Sequence, residues 1–412
     1  MDKARDYSSQ EWHDRILSRV ETVGKVDRVD TPGSIADLQA IVADCASAGT
    51  KLAIVGNGSK VDWGKPMAAV SRVVSTVNLA PKIDLAEGDF TVTVSAGTTF
   101  ADLSAALADV GQWLAIDPTF PELATVGGIL STADTNSFRQ GYGGIRDRVL
   151  GISFVRADGK VAKAGGQVVK NVAGYDLMKL LTGAYGTLGI IVEVTLRTYP
   201  QPQDSQTIVL SGAISALEAV ANKILMSSLT PVAFDAISAE FSVDAGGERA
   251  PGLCLRYQSI PESNHTQADR TIAMGTAAGL TAKVVTDDAE SSWWQDGYRR
   301  LWEDSEIVAK VGVRSTAVFE AIAALGGGCR GTIGVKTGLG YVELAGRLAQ
   351  ESAIVTLRDF CRRSGGFLSV IEAPLALKEK IDVWGYSLDS QRLASATKSK
   401  FDPLNIFNPD KL

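Results

Sequence analysis

Histidine is nearly missing from this chain of 412 residues: there are two, His13 and His265. They stand far apart and in neither H-x-x-x-H nor H-E-x-x-H spacing, which argues against a histidine metal site. A histidine-dependent catalytic triad would need the fold to deliver one of them. Cysteine is almost as scarce. Cys45, Cys254, Cys329 and Cys361 are scattered and form no C-x-x-C pair. That argues against a metal knuckle, a thioredoxin-like site and an iron–sulfur cluster within the chain, so no metal is expected. It suits reduced thiols in a cytoplasmic protein. No stretch approaches the ~18 uncharged apolar residues of a membrane span, and the charged start MDKARDYSSQEWHDR is no secretory leader. Peripheral association through partners stays open, direct insertion does not. There is no basic run, and 41 Lys plus Arg against 47 Asp plus Glu gives a net charge of −6, so nucleic acid is not expected as a partner. A complete dinucleotide fingerprint is also missing. Gly56-Asn57-Gly58 meets Val61 where a third glycine belongs, and Gly141-Tyr142-Gly143 meets Arg146.

What is present suits a large globular protein: 45% hydrophobic and 21% charged residues, enough for two or three domains at about 150 residues each. Residues 1–30 read as a polar helical segment with apolar anchors at Trp12, Ile16, Leu17 and Val20. Ser34 with Asp37 reads as a helix N-cap, Ile35, Leu38, Ile41, Val42 and Cys45 recur at helical spacing, and Gly49 closes that helix. Residues 51–55 read as a buried strand followed by a tight loop. Residues 70–77 and 90–95 read as strands, 100–110 as a helix and 112–116 as a strand. A short helix fits 127–133. Residues 149–155 and 161–163 flank Asp158-Gly159, a hairpin signal. A helix at 177–181 and a long strand at 190–199 follow, and Pro200 and Pro202 suggest a boundary near 205. Beyond it helix-like and strand-like runs mix without a repeat. A helix near 290–304 carries Trp294, Tyr298, Leu301 and Trp302 on one face. With Trp293, this cluster reads as core, with a subunit-docking face as the alternative.

Glycine is concentrated rather than scarce. Thirteen of the 41 glycines fall between residues 119 and 189. Glycine lets backbone approach a ligand and expose successive N–H groups, which suits a pyrophosphate. The plain alternative is a series of turns. Two stretches have the anion-cradling form: 56–60 (Gly-Asn-Gly-Ser-Lys) after a strand, and 125–128 (Thr-Val-Gly-Gly) opening a short helix whose N-terminus would face an anion.

The order helix, G-x-G-S, T-x-G-G, a glycine-rich stretch ending in Arg146-Asp147, then Gly186-Thr187-Leu188-Gly189-Ile190-Ile191 resembles the FAD-binding domain of the vanillyl-alcohol oxidase / p-cresol methylhydroxylase superfamily. Within it, GGQVVKNVAGYDLMKLLTGAYGTLGIIVEVTLRTYP (165–200) and FDPLNIFNPDKL (401–412) are most similar to the E-type flavin subunits of glycolate oxidase. The likeness is strong over 31–205 and the last dozen residues, and weak between 205 and 395. It implies an α+β protein: an N-terminal helical segment (1–30), a PCMH-type FAD-binding domain of two α+β subdomains (31–205), a smaller α+β cap domain (206–395) and a C-terminal segment (396–412) returning to the FAD domain.

The resemblance also implies the ligand set. Val55, Gly56, Asn57, Gly58, Ser59 and Lys60 would lie against the pyrophosphate of FAD. Pro118, Thr119, Thr125, Val126, Gly127, Gly128 and Thr132 would flank pyrophosphate and ring. Gly141, Gly143, Arg146 and Asp147 would line the ring side, and Gly189, Ile190 and Ile191 would present backbone groups. With no histidine or cysteine in the loops, FAD is expected to be non-covalent. The implied function is that of an FAD-binding subunit of a glycolate oxidase type of complex. It would oxidise a small 2-hydroxy acid (glycolate to glyoxylate) and pass electrons to a second flavin subunit, an iron–sulfur subunit or another non-oxygen acceptor. A stand-alone FAD-dependent hydroxy-acid or alcohol dehydrogenase and a non-catalytic relay or assembly subunit are the alternatives. The H-G-D-G-N-x-H stretch of the related D-2-hydroxyacid dehydrogenases is absent, so the base is unassigned. Lys170, Tyr175, Arg314, Lys336 and Glu372 are weak candidates, each as easily a loop-ordering or surface residue; Asn171, Asp176 and Arg330 stand beside them on the same terms.

Overall fold

A computed structural model describes residues 10–20, 26–79, 81–167, 175–326 and 328–412. The chain divides into two compact units. The first comprises Met1–Thr135, Gly144–Gln201 and Tyr386–Leu412, and the second Asn136–Gly143 and Pro202–Gly385. The excursion of Asn136–Gly143 into the second unit and the return at Tyr386 differ from the ranges expected from the sequence.

Alternation builds the first unit's N-terminal layer. Strands Arg28–Asp30, Arg72–Ser75 and Leu52–Val55 form a parallel sheet with Arg72–Ser75 in the middle. Successive side chains of a strand point to opposite faces. Leu52 and Val74 therefore pack with Leu38, Val42 and Cys45 of helix Ile35–Ala48, while Ala53, Val55 and Val73 pack with Trp12, Ile16 and Val20 on and beside helix Gln10–Arg19. The caps read from sequence are there. Ser34 accepts from the N–H of Asp37, and Gly49 closes the helix at φ 67°.

A five-stranded antiparallel sheet follows, in the order Ile83–Ala86, Thr91–Ser95, Ile190–Arg197, Val149–Val155, Val161–Gly165. Its apolar face packs on helices Phe100–Ala108, Val126–Thr132 and Leu177–Leu181. The strand expected at 112–116 shrinks to Gln112–Trp113, which pairs only with Tyr199–Pro200. Strand Ile83–Ala86 was not legible in the sequence. It is an edge strand, mostly exposed, so it needs no apolar alternation.

The second unit is one antiparallel sheet of eight strands, in the order Thr281–Thr286, Asp204–Ser211, Gly252–Ser259, Ala233–Ile237, Gly331–Gly334, Leu339–Glu343, Val308–Gly312, Phe367–Glu372. Helix Asp287–Glu303 buries Trp293, Trp294, Leu301 and Trp302, so the tryptophan cluster is core. Gly297 lets that helix approach closely: a Cβ there would stand 2.6 Å from the Phe241 ring. Trp294 donates to the Thr207 hydroxyl (2.9 Å), Thr207 donates to Glu290 (2.6 Å), and Glu290 pairs with Arg256 (2.9 Å).

Asp235 sits fully buried on strand Ala233–Ile237. Burial pushes its carboxyl up to about 6, and hydrogen bonds from the Ser137 and Thr332 hydroxyls pull it partly back. The folded value lies above the unfolded one, so its stabilising contribution is whole below pH ~4 and is lost as pH rises through about 6. Asp235→Asn should therefore gain on the wild type by about 2 kcal/mol between pH 4.5 and 7.5. Urea unfolding of both proteins at the two pH values checks this; a constant difference would contradict it.

Candidate functional site

The two loops singled out in the sequence come together at one cleft in the first unit. Val55, Gly56, Asn57, Gly58, Ser59 and Lys60 line it, with Thr125, Gly127, Gly128 and Thr132 opposite, and Gly189, Ile190 and Ile191 complete a third side.

Loop 56–60 owes its form to close packing. A Cβ on Gly56 would lie 2.1 Å from the Thr125 hydroxyl oxygen, and one on Gly58 (φ 72°) would lie 2.2 Å from Ile16 Cδ1. The Asn57 side chain accepts from Trp12 Nε1 (2.9 Å) and donates to the Leu123 carbonyl (3.2 Å). Both flanks of the loop are thereby fixed. Among the described residues, the N–H groups of Gly56, Gly58, Ser59 and Lys60 and the Ser59 hydroxyl make no hydrogen bond. Neighbouring unpaired N–H groups along one glycine-bearing turn are what an anion nest offers.

The second loop works differently from the expectation. Its helix does not offer its N-terminus. The N–H of Val126 bonds the Thr98 carbonyl (2.9 Å), that of Gly127 the Ala96 carbonyl (2.8 Å) and that of Gly128 the Thr125 hydroxyl (3.2 Å). Gly127 is small because a Cβ would stand 2.9 Å from that of Ala96. This loop is therefore a wall, and only the first loop presents free donors.

Lys60 likewise has another duty. Its ammonium pairs at 3.1 Å with Asp134, both fully buried, and stands 5.6 Å from the Trp63 ring centroid. Burial lowers the lysine's pKa and Asp134 opposes that. Asp134 also accepts from the N–H (2.8 Å) and hydroxyl (3.1 Å) of Thr119. Lys60 and Thr119 thus brace the wall through one carboxylate.

Sequence reading missed the far side of the cleft: Ile54, Thr76, Ser131, Tyr185, Gly186, Asn408 and Lys411. Asn408 accepts from the Ile54 N–H (2.6 Å) and donates to the Tyr185 carbonyl (2.6 Å). Gly186 (φ 71°) is required there, since a Cβ would come within 2.7 Å of Asn408 Nδ2. Lys411 reaches the Val61 carbonyl at 2.9 Å. The signal that could have found them is the asparagine-rich ending Asn405-Ile406-Phe407-Asn408.

Other expected ligands lie off this cleft. Val126 and Pro118 are buried behind it. Gly141 belongs to helix Arg139–Tyr142 of the second unit, where its N–H bonds Val232 (2.9 Å) and a Cβ would stand 2.7 Å from Val232 Cα. Gly143 closes that helix at φ 79°. Arg146 and Asp147 are exposed on a short 3-10 turn, and Asp147 accepts from the Gly144 N–H (2.9 Å). These two glycines and this turn have packing and turn duties of their own.

None of the catalytic candidates among the described residues is part of the first unit's cleft lining. Lys170, like Asn171, lies outside the described residues. Tyr175 is 90% exposed, and Asp176 pairs with Lys179. Arg314 is exposed, and its N–H bonds the Ser364 carbonyl (3.0 Å). Glu372 ends the sheet's edge strand. Arg330 is held by Asp244 (2.5 Å) and Glu343 (3.1 Å). Lys336 lines a separate cavity of the second unit. Among the described residues no cluster of three or more metal-ligating side chains occurs, and no helix is long and apolar enough to cross a membrane.

Most of the residues lining the cleft fall within a stretch that matches a known domain family. Residues 26–165 match the family model described as "FAD binding domain". The fold is that of p-cresol methylhydroxylase (TM-score 0.72, 13% identity, 97% of this chain and 96% of that one) and of alkyldihydroxyacetonephosphate synthase (TM-score 0.69, 16% identity, 93% and 77%). Among curated proteins, the chain is similar to glycolate oxidase subunit GlcE of Escherichia coli, 35% identical over 42% of this chain and 48% of the relative. It is also similar to glycolate oxidase subunit GlcD of Bacillus subtilis, 27% identical over 51% and 45%. The chain thus spans about half the length of the curated relatives it matches.

The chain's residues fit the cofactor. FAD carries a diphosphate, and loop 56–60, which lines the cleft, offers unpaired N–H groups. Lys60→Met should destabilise the protein by about 3 kcal/mol, because it strands a buried carboxylate. Adding Asp134→Asn should recover part of that loss. Denaturant unfolding of the three proteins checks both; a single variant as stable as the wild type would contradict the bracing role.

Proposed function

We propose that the protein is an FAD-dependent oxidoreductase of the glycolate oxidase and D-lactate dehydrogenase group, acting on a small 2-hydroxy acid such as glycolate as one subunit of a larger assembly. The observation that carries the reading is loop 56–60, with its unpaired N–H groups in the cleft of a domain that matches an FAD-binding family. In this reading Gly56, Gly58, Ser59 and Lys60 hold the diphosphate through their N–H groups. The Ser59 hydroxyl adds a further donor. Thr125, Gly127, Gly128 and Thr132 wall the cofactor on one side, Gly189, Ile190 and Ile191 on another, and the C-terminal Asn408 and Lys411 on a third.

When bound, FAD supplies the two-electron acceptor for oxidation of a hydroxyl-bearing carbon. The loops contain no histidine or cysteine that could tether it, so we read it as non-covalent. The names of the GlcE and GlcD relatives call them subunits. That supports a partner flavin subunit, and we add an iron–sulfur subunit as the electron outlet. The same names favour a chain that needs a partner for turnover over a self-sufficient dehydrogenase.

The purified chain, reconstituted with FAD, should show bound-flavin absorption near roughly 370 and 450 nm. The bands should persist on anaerobic addition of glycolate or D-lactate, and bleach once the partner subunits are supplied. Failure to retain flavin would refute the cofactor assignment. Bleaching by the isolated chain would refute partner dependence and make it a dehydrogenase in its own right.

A further inference from the structure

Two backbone carbonyls beside the cleft of the first unit are held from behind by one ammonium group. Lys398, on helix Leu388–Phe401, donates to the Thr187 carbonyl (2.9 Å), to the Phe407 carbonyl (2.7 Å) and to the Asp402 carboxylate. A lysine ammonium has three N–H groups, and all of them are used here. Asp402 is fully buried and ties down the same turn: it accepts from the N–H of Ile406 (3.1 Å) and from that of Phe407 (2.8 Å). Lys398 itself does not line the cleft, but the neighbours of its partners do. Gly186 precedes Thr187, and Asn408 follows Phe407.

No residue of helix Leu388–Phe401 is buried, so an apolar face does not set where Lys398 sits. Burial pushes the ammonium's pKa down, and Asp402 opposes that. A partly desolvated charge is a poor way to gain stability alone, since apolar packing does that as well. A threefold donor can instead fix two separate backbone segments at one point. Asn408 spans from Ile54 to Tyr185 only while residues 185–187 and 405–408 keep their spacing. We propose that Lys398 is a positioning residue for the cofactor cleft: it clamps the Thr187 carbonyl to the Phe407 carbonyl and so holds Gly186 and Asn408 as one wall before FAD arrives. This rests on the reading of the cleft as the FAD site. The gain is preorganisation, because a wall already fixed loses little conformational entropy when the cofactor binds.

The test compares FAD affinity, read by flavin fluorescence, and amide exchange without FAD in the full-length wild type, Lys398→Met, Lys398→Arg and Leu107→Ala. Leu107 is in the core of the same unit and off the cleft lining, so its variant reports general destabilisation. Lys398→Met should bind FAD about tenfold or more weakly, and Lys398→Arg should stay within about threefold of the wild type, since a guanidinium still offers several donors. Amides of 185–189 and 405–408 should exchange faster in Lys398→Met, and in Leu107→Ala should change no more than the rest of the unit. Lys398→Met strands the Asp402 carboxylate, so Lys398→Met with Asp402→Asn is measured beside it; the pair should recover stability but not FAD affinity. The clamp is overturned if Lys398→Met, alone or with Asp402→Asn, binds FAD as tightly as the wild type. It is equally overturned if Lys398→Arg is as weak as Lys398→Met, or if Leu107→Ala loses as much affinity. A wild type that takes up no FAD would refute the cofactor reading instead.

Discussion

One side-chain amide ties together the elements that line the cleft of the first unit. Asn408 accepts from the N–H of Ile54 and donates to the carbonyl of Tyr185, so it joins the first parallel sheet to the segment that enters the antiparallel one. Its own N–H bonds the Leu52 carbonyl (2.9 Å), and the Leu52 N–H bonds Ile406 (2.7 Å). The C-terminal residues thus run as a further strand-like piece beside Leu52–Val55. Ile406 and Phe407 are fully buried in the core beneath helix Ile35–Ala48. The last residues of the chain are in this way structural partners of residues some 350 positions earlier.

The loop after Leu52–Val55 gains its chemistry from that rigidity. A run of unpaired N–H groups binds an anion well only when the backbone is already fixed, since ordering it at the moment of binding would cost conformational entropy. Trp12 on Asn57, Ile16 on Gly58 and Thr125 on Gly56 supply the fixation from two elements, helix Gln10–Arg19 and the start of helix Val126–Thr132. The neighbouring loop of Thr125 spends its donors on Thr98 and Ala96 and serves as a wall. One loop donates and the other is packed against it, rather than two donors clamping from both sides.

The local features were legible in the sequence because they obey short-range rules. Ser34 caps its helix, Gly49 closes it, and Asp158-Gly159 turns a hairpin. Loop 56–60 was legible for the same reason: a strand followed by small residues is a local signature. What stayed hidden depends on distant pairing. Gly186 is needed only because Asn408 lies against it, and Gly141 only because Val232 does. A glycine required for packing and a glycine required for a ligand look identical in one sequence. The eight-stranded order of the second unit was out of reach too, because strands that neighbour each other, such as Ala233–Ile237 and Gly331–Gly334, are separated by several other elements.

The central claim is that residues 56–60, backed by the C-terminal segment, cradle the diphosphate of FAD. Hydrogen–deuterium exchange with and without FAD tests it most directly, because it reads the very N–H groups that are unpaired. The account predicts that amides of residues 56–60 gain strong protection on FAD addition, with weaker gains at 185–191 and 405–411. Protection centred instead on residues 125–128, or no change at 56–60 while FAD is bound, would contradict it.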